Sequence, residues 1–202
     1  MIIEDFEQLS EEWYSARAGL PTASNFDKII TTKGAPSKSA QKYLYGLAAE
    51  NITGVKAPTY QNAAMLWGIE HEPQARADYE WENGVVVKQT GLVYPDAQKK
   101  YGCSPDGLME KRGLEIKCPY ESHVHVDYVF RGKLPTAYFQ QVHGSMLVTG
   151  FESWVFKSYY PGLPRFELEI ERDETFIKAL EEELDKFVFE LAKVTKKLRE
   201  ME

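Results

Sequence analysis

The amino-terminal part of the chain repeats apolar residues at helical spacing, and glycine, proline and small polar residues divide this pattern into segments. Residues 11–17 predict a short amphipathic helix that ends before Gly19. Residues 22–24 are typical capping residues and predict a second helix directly after them. A third helix is predicted to end near Gly54, so this part of the fold should be helical.

A longer helix is predicted over residues 63–81, where side chains one turn apart form a stripe. The stripe consists of Met65, Ile69, Glu72, Arg76 and Tyr79. Pro73 interrupts the pattern, because proline has no backbone N–H to donate to the preceding turn. We therefore expect a kink or a new helix start just after Glu72, with the stripe facing the core.

After Val85 the spacing changes from helical to alternating, which predicts strands. Strand-like runs cover 85–87, 91–94, 102–109, 114–118, 153–160 and 166–171, with a turn expected at 112–113. Two further helices are predicted over 136–148 and over about 172–200, the second long and amphipathic. We expect one α/β domain over residues 1–202, with a mixed β-sheet flanked by helices.

The composition is that of a folded protein in a reducing compartment. With 43% hydrophobic and 13% aromatic residues a core can form, and no apolar run is long enough to cross a bilayer. Cys103 and Cys118 fit neither a disulfide framework nor a zinc motif, and the first residues do not resemble an export signal. We therefore expect a cytoplasmic location.

The charge distribution matters more than the net charge. A net charge of −7 argues against a protein that coats nucleic acid through bulk positive charge. Twelve acids and eight bases lie in residues 165–202, however, so the first 164 residues carry a net charge of only −3. A positive groove in that larger part of the chain is therefore compatible with the sequence.

Candidate chemistry is concentrated between residues 103 and 119. Glu115 and Lys117 share one face of the alternating strand, and Asp106 lies across a short hairpin from them. Carboxylates this close repel each other unless a cation neutralises them, which makes a hard divalent ion such as Mg²⁺ a natural partner. The Ile116 carbonyl adds an oxygen ligand, and the lysine can act beside an attacking water. The same pattern also occurs on solvated hairpins, so it needs a second indication.

Glu72 supplies this second indication, because a carboxylate on the apolar stripe of a helix is costly to bury without a partner. One interpretation is a modest i,i+4 ion pair with Arg76. The other is a further metal ligand, on a helix packed beside the hairpin. We favour the ligand, since a carboxylate on the core face needs a stronger partner than a mobile arginine.

Four motifs in a fixed order resemble a known family. They are Met65-x-x-Gly68-x-x-x-Glu72-Pro73-x-Ala75-Arg76, Cys103-Ser104-Pro105-Asp106-Gly107-Leu108, Leu114-Glu115-Ile116-Lys117-Cys118-Pro119 and Ala137-Tyr138-Phe139-Gln140-Gln141-Val142-His143-Gly144-Ser145-Met146. Together they resemble the lambda-exonuclease (YqaJ-type) viral recombinase family of the PD-(D/E)xK nuclease superfamily. The resemblance extends from about Trp13 to Asp173 and implies a restriction-endonuclease-like core.

The resemblance also implies roles for individual residues. The metal ligands of the family correspond to Glu72, Asp106, Glu115 and the Ile116 carbonyl. Its catalytic lysine corresponds to Lys117, and a residue that organises the site corresponds to Gln141.

A pocket for a 5′-phosphate is implied at Arg17, Ser24 and Ser104. Its chemistry is reasonable, because a guanidinium fork and hydroxyl donors near a helix start are suited to bind phosphate. Without the resemblance, Arg17 is interpreted as a surface helix residue and Ser24 as an ordinary helix cap.

As to function, the resemblance implies a Mg²⁺-dependent exonuclease, with two ions and with Mn²⁺ as a substitute. It would digest one strand of linear double-stranded DNA from the 5′ end and leave a 3′ overhang for phage recombination. A homotrimeric ring, a single-strand annealing protein as partner and the host cytoplasm are implied as well. The alternatives are an endonuclease of the same fold and a non-catalytic DNA-end-binding module, although none of the Asp, Glu and Lys residues is missing.

Overall fold

A four-stranded mixed sheet lies at the centre of the computed structural model, which describes residues 1–56 and 62–201. The strands of the protein are β1 (Ile2–Glu4), β2 (Leu92–Tyr94), β3 (Gly107–Leu108), β4 (Arg112–Lys117), β5 (Ser153–Ser158) and β6 (Phe166–Glu171). Strands β3 to β6 form the sheet in that order, with β4 and β5 parallel and the outer pairs antiparallel. Strands β1 and β2 form a separate antiparallel ribbon.

Helices cover both faces of this sheet. Within the described ranges the α-helices are α1 (Glu11–Arg17), α2 (Ala40–Thr53), α3 (Ala63–Asn83), α4 (Ser122–Arg131), α5 (Phe139–Thr149) and α6 (Glu174–Arg199), with 3-10 helices at Ala23–Lys28 and Thr136–Tyr138. Helix α5 packs on one face together with the first 3-10 helix, and α2 pairs with α6 farther out. Helix α3 covers the opposite face.

Strand alternation divides β4 between two separate cores. Leu114 and Ile116 pack with Ala75 and Tyr79 on the side of α3. Because successive side chains of a strand point to opposite faces, the side chains of Glu115 and Lys117 point to the side of α5. A carboxylate in the middle of a central strand is therefore buried by the fold.

The predicted fold class, α/β with a mixed sheet flanked by helices, is confirmed. Helices lie at 11–17, before Gly54 and over the carboxy-terminal segment, as their patterns predict. The segment after Thr22 forms a 3-10 helix, and the helix predicted over 136–148 begins with a 3-10 turn. Asp173 caps α6 by accepting a hydrogen bond from the Phe176 amide. Among the described helices, none combines the length and the apolar character needed to cross a membrane.

Two local predictions were wrong, and one helix was not predicted. Residues 85–87 form no strand; Val86 is 84% exposed, and pairing in this region is a single bridge between Lys88 and Leu108. The hairpin turn precedes Arg112, because residues 112 and 113 already pair within β4. Helix α4 was missed, since its sequence is rich in β-branched and aromatic residues of low helix propensity.

Helix α3 continues through Pro73 instead of restarting after it. Burial of Ala75, Arg76 and Tyr79 fixes the helix after the proline, and tertiary packing of this kind offsets the missing hydrogen bond. The amino-terminal part of the predicted core stripe is not buried, however, since Met65 and Ile69 are each 40% exposed.

Candidate active site

Glu115 is the centre of a polar cluster on the α5 side of β4. Its side chain is only 1% exposed. One carboxylate oxygen, Oε1, lies 2.5 Å from Lys117 Nζ and accepts a hydrogen bond of 2.6 Å from Gln141 Nε2 on α5. The other oxygen, Oε2, is buried and has no hydrogen-bond partner among the described residues. The predicted proximity of Glu115, Lys117 and Gln141 is thus observed.

Asp106 reaches the same cluster from the start of β3. Gly107 pairs with Leu114, so Asp106 is the residue at which the β3–β4 pairing ends. Its Oδ2 accepts a hydrogen bond of 2.6 Å from the Ile116 amide and so takes the place of a backbone partner. A strand residue directs its N–H and C=O to the same neighbour, so the Ile116 carbonyl faces this edge as well.

Glu72 joins the cluster through Arg76, its i,i+4 neighbour on α3. Arg76 Nη2 donates a hydrogen bond to Glu72 Oε1, and Arg76 Nε donates one of 3.0 Å to the Asp106 carbonyl. Of the two interpretations of Glu72, the structure shows the ion pair. The arginine is nonetheless buried and holds the Glu72 carboxylate beside Asp106, at the edge where β3 and β4 part.

The carboxylates of this cluster disfavour one another's charge. Burial, with a contribution from Asp106, raises the pKa of Glu72 to about 7. Burial likewise raises the pKa of Glu115 to about 7 against the opposing effect of Lys117, and burial also raises the pKa of Asp106. For Lys117 burial acts downward, but the charges of Glu115 and Asp106 outweigh it and raise its pKa. The cluster therefore has an excess of negative charge that a cation would relieve.

These residues fit a divalent cation by chemistry, although the ligand set is not yet assembled. Oxygen ligands suit Mg²⁺, and the unpartnered Glu115 Oε2 is a free acceptor beside Asp106. Within residues 1–56 and 62–201, however, no three His, Cys, Asp or Glu side chains stand together in a group that could hold a metal ion. A cation at Glu115 Oε2 would leave the Oε1 contacts with Lys117 and Gln141 in place.

The predicted phosphate-binding residues also lie together, around a buried arginine. Arg17 is 8% exposed, and its Nη1 donates to Ser104 Oγ at 2.9 Å. Its Nη2 donates to Ser24 Oγ at 3.3 Å and to Thr22 Oγ1 at 3.2 Å. Its Cζ lies 4.3 Å from the ring centre of Trp13, one helical turn earlier.

A cavity of about 180 Å³ lies beside this pocket and reaches the hydrogen-bond partner of Glu115. Arg17, Ser24 and Ser104 line it together with Gln141, which donates a hydrogen bond to Glu115. Residues assigned to the phosphate pocket and Gln141, which was assigned to the hydrolytic site, therefore line the same cavity.

Sequence reasoning missed several supporting residues. Trp13 Nε1 donates to Ser104 Oγ at 3.0 Å, and its i,i+4 spacing from Arg17 was a usable signal. The ring of Tyr138 lies 5.1 Å from Lys117 Nζ. Arg76 was named only as an alternative partner, although it contacts both Glu72 and Asp106.

The fold matches solved exonuclease structures. An alkaline exonuclease from Laribacter hongkongensis, LHK-Exo, superposes with a TM-score of 0.85 at 35% identity, over 95% of this chain and 97% of that one. Its structure in complex with dAMP gives the same values. A phage-related exonuclease from Haemophilus somnus 129PT shares the fold at a TM-score of 0.66 and 14% identity, over 91% and 96% of the two chains. The fold is therefore that of the lambda-exonuclease-like class.

The family is defined by sequence as well. The model of the YqaJ-like viral recombinase domain matches residues 12–152, so the chain belongs to this family, which confirms the predicted resemblance. An uncharacterised protein, R354, of Acanthamoeba polyphaga mimivirus is 26% identical over 160 residues, or 73% of this chain. The chain spans 28% of the length of that relative.

Proposed function

We propose that the protein is a Mg²⁺-dependent exonuclease that digests one strand of linear double-stranded DNA from its 5′ end. One observation carries the proposal: Gln141, the hydrogen-bond partner of Glu115, lines the same cavity as the Arg17 pocket. An exonuclease needs both a hydrolytic centre and a means of holding a strand end next to it. Membership of the family and the similarity to LHK-Exo support the same activity.

Hydrolysis is assigned to the residues around Glu115. Asp106, Glu115, Glu72 and the Ile116 carbonyl would hold Mg²⁺, or Mn²⁺ in its place. Such an ion supplies a Lewis acid that lowers the pKa of water and neutralises developing charge. Lys117 keeps its proton at neutral pH and offers a positive charge to the attacked phosphate. Gln141 fixes one Glu115 oxygen by its hydrogen bond, which leaves the other free for a ligand.

End recognition is assigned to Arg17, Ser24 and Ser104. A terminal phosphate is a dianion, whereas an internal phosphodiester carries one charge, and a buried guanidinium favours the dianion. Arg17 donates only to hydroxyl groups among the residues described, and its buried Nε has no partner. An anion would supply the partner that this positive charge lacks.

Assembly and partners follow from the family. We propose a homotrimeric ring that acts with a single-strand annealing protein in phage recombination, in the cytoplasm of the host. Light scattering of the purified protein should then give three times the chain mass of 23.2 kDa. A mass of one chain over the working concentration range would contradict the ring.

Digestion of end-labelled DNA tests the activity itself. Linear duplexes labelled at either the 5′ or the 3′ end, and a covalently closed circle of the same sequence, are incubated with Mg²⁺ or with excess chelator. We expect loss of the 5′ label as mononucleotides, a shortening 3′-labelled strand, an intact circle and no reaction with chelator. Cleavage of the circle would favour the endonuclease alternative, and end binding without cleavage would favour the non-catalytic module.

A further inference from the structure

A second and larger cavity begins on the far side of Arg17. Its volume of about 770 Å³ lies within the range of roughly 300–1,000 Å³ that ligand pockets of proteins have. Arg17 and Ser24 line both this cavity and the 180 Å³ cavity that reaches Gln141. Arg17 and Ser24 therefore form a wall that the two cavities share.

The lining of the larger cavity is strongly basic. Arg17, Lys28, Lys42 and Lys56 contribute positive charge, and Glu50 is the acid among the described residues that line it. A glutamate oxygen of Glu50 already accepts a hydrogen bond of 2.9 Å from the Gly19 amide. In a chain of net charge −7, four cations around one cavity indicate a ligand with several negative charges.

The cations repel one another in the absence of such a ligand. Burial, together with the charge of Arg17, lowers the pKa of Lys56. Arg17 is held by three hydroxyl groups, and its Nε is buried without a partner in the described part of the chain. A single phosphate in the smaller cavity would leave Lys28, Lys42 and Lys56 without a common anion.

Aromatic rings accompany these cations. Lys28 Nζ lies 5.2 Å from the ring centre of Tyr43, and Lys56 Nζ lies 5.2 Å from that of Trp13 and 5.1 Å from that of Tyr14. Tyr43 lines the larger cavity and Trp13 the smaller one. Basic grooves with aromatic side chains among the cations are typical of sites for single-stranded nucleic acid.

We propose that this larger cavity binds the consecutive phosphates of a single-stranded 5′ extension, so that a 5′ overhang passes Arg17 and does not stop there. The inference rests on the proposed nuclease function and deepens it, because it defines which DNA ends the enzyme accepts. A blunt end places its terminal phosphate at Arg17. An overhanging end places an internal phosphate there and further phosphates along Lys28, Lys42 and Lys56.

The size of the first product distinguishes the two modes. On an overhang, water adds to the phosphorus of an internal phosphodiester and the bond from phosphorus to O3′ breaks. The O3′ atom takes up a proton, so the released fragment ends in a 3′-hydroxyl, and the remaining strand keeps the new 5′-phosphate. The first product is then an oligonucleotide that contains the overhang, whereas later products are mononucleotides.

The experiment compares 3′-labelled and internally labelled duplexes whose ends are blunt 5′-monophosphate, blunt 5′-triphosphate or a 5′ overhang of four nucleotides. We measure initial rates and first-product lengths with Mg²⁺ for the wild type and for a Lys28→Ala/Lys42→Ala double variant. Lys111→Ala serves as the control, since Lys111 is an exposed lysine in the β3–β4 turn and lines neither cavity.

For the wild type we expect an oligonucleotide as first product from the overhang, at a rate comparable to that of the blunt end. The double variant should lower the ratio of overhang to blunt rates about tenfold, because it removes two of the four positive charges that would bind the extension. Lys111→Ala should leave this ratio at the wild-type value.

Three results would overturn the inference. Mononucleotides as first products from the overhang would show that the strand stops at Arg17. An unchanged ratio of overhang to blunt rates in the double variant would show that the lysines do not bind the extension. A rate increase by the triphosphate end alone would show that the cavity binds a terminal polyphosphate. Failure of the proposed function is recognised separately, since the blunt monophosphate duplex would then also stay intact.

Discussion

Lys117 is the residue whose charge depends most on its neighbours. It ends β4, lies 2.5 Å from Glu115 and faces the ring of Tyr138. Burial works against its charge, and the two nearby carboxylates more than compensate for this effect. A lysine that is kept protonated in this way can neutralise charge on a phosphate.

Replacement of Lys117 by alanine should therefore affect the reaction and leave docking intact. We expect Lys117→Ala to reduce the rate of duplex digestion by at least about a hundredfold, with DNA binding retained. Rates are measured under single-turnover conditions and binding by fluorescence anisotropy, with Lys111→Ala from the same hairpin as the control. Digestion within severalfold of the wild type would show that Lys117 is only a structural residue.

The carboxylates determine how stability depends on pH. The pKa of Glu115 is about 7 in the folded protein, against 4.5 ordinarily, so the folded state holds a proton that the unfolded state releases. Glu72 behaves alike. Without divalent ions, the free energy of unfolding should therefore fall as the pH rises from about 5 to about 7.

Thermal denaturation of the wild type and of Glu115→Gln checks this prediction. The variant should show a shallower fall over the same pH range and should be the more stable protein at pH 8 without metal, because a buried negative charge has been removed. Mg²⁺ should raise the melting temperature of the wild type at pH 8 and have little effect on the variant. Parallel pH profiles for the two proteins would contradict the assignment.

For single residues, the sequence predicted the grouping on the hairpin better than the contacts that other elements make with it. The spacing of Asp106, Glu115 and Lys117 sufficed to place them together, since alternation and a short turn are local properties. The pairing of Glu72 could not be chosen in advance, because it depends on where α3 packs. The phosphate pocket was available only from the resemblance, as Arg17 and Ser104 are far apart in sequence.

At the scale of elements, the position of β4 depends on a close contact at Gly113, its second residue. Gly113 pairs with Trp154 of β5, and a Cβ atom at Gly113 would lie 2.2 Å from the Trp154 ring. The ring is fully buried between the sheet and its helices, so it cannot move aside without repacking. This contact fixes the strand that carries Glu115 and Lys117.

Gly113→Ala should therefore destabilise the protein by about 1–3 kcal/mol, as overpacking of a core does. Gly46→Ala in α2 is the matched control, because a Cβ atom there meets nothing within 4 Å. Alanine in a helix interior is about 0.5–1 kcal/mol more favourable than glycine, so this variant should gain stability. Urea denaturation measures both, and equal stability of the two variants would contradict the described packing.

The boundaries of several helices and strands are determined by tertiary packing and not by the local sequence pattern. Helix α3 passes through Pro73 because its second half is anchored against β4. Residues 85–87 alternate too little to define a face, and the one bridge of this region forms at the next residue, Lys88. Helix α4 has a strand-like composition, and only packing stabilises it as a helix. The long, strongly periodic α6 needed no such context and was predicted within a few residues.

For the whole molecule, the essential feature is that the candidate phosphate pocket and Gln141 of the candidate hydrolytic site line one cavity. Helix α1 and the first 3-10 helix carry Arg17 and Ser24, the sheet carries Glu115 and Lys117, and α5 lies between them with Gln141. The fold thus brings motifs that are far apart in sequence close together in space. The acidic carboxy-terminal segment lies mostly on α6, which contributes none of the described residues that line the basic cavity around Arg17.

The most direct test of this arrangement compares initial rates on blunt duplexes with 5′-phosphate and 5′-hydroxyl ends. For the wild type we expect a preference for the phosphate of about tenfold to a hundredfold, which corresponds to roughly 1.5–3 kcal/mol for a charge-assisted fork. Arg17→Ala should abolish the preference and keep slow, Mg²⁺-dependent digestion, because the carboxylate cluster is unchanged. Equal rates of the wild type on both ends, or a full preference retained by Arg17→Ala, would contradict the assignment of Arg17 to the 5′ end.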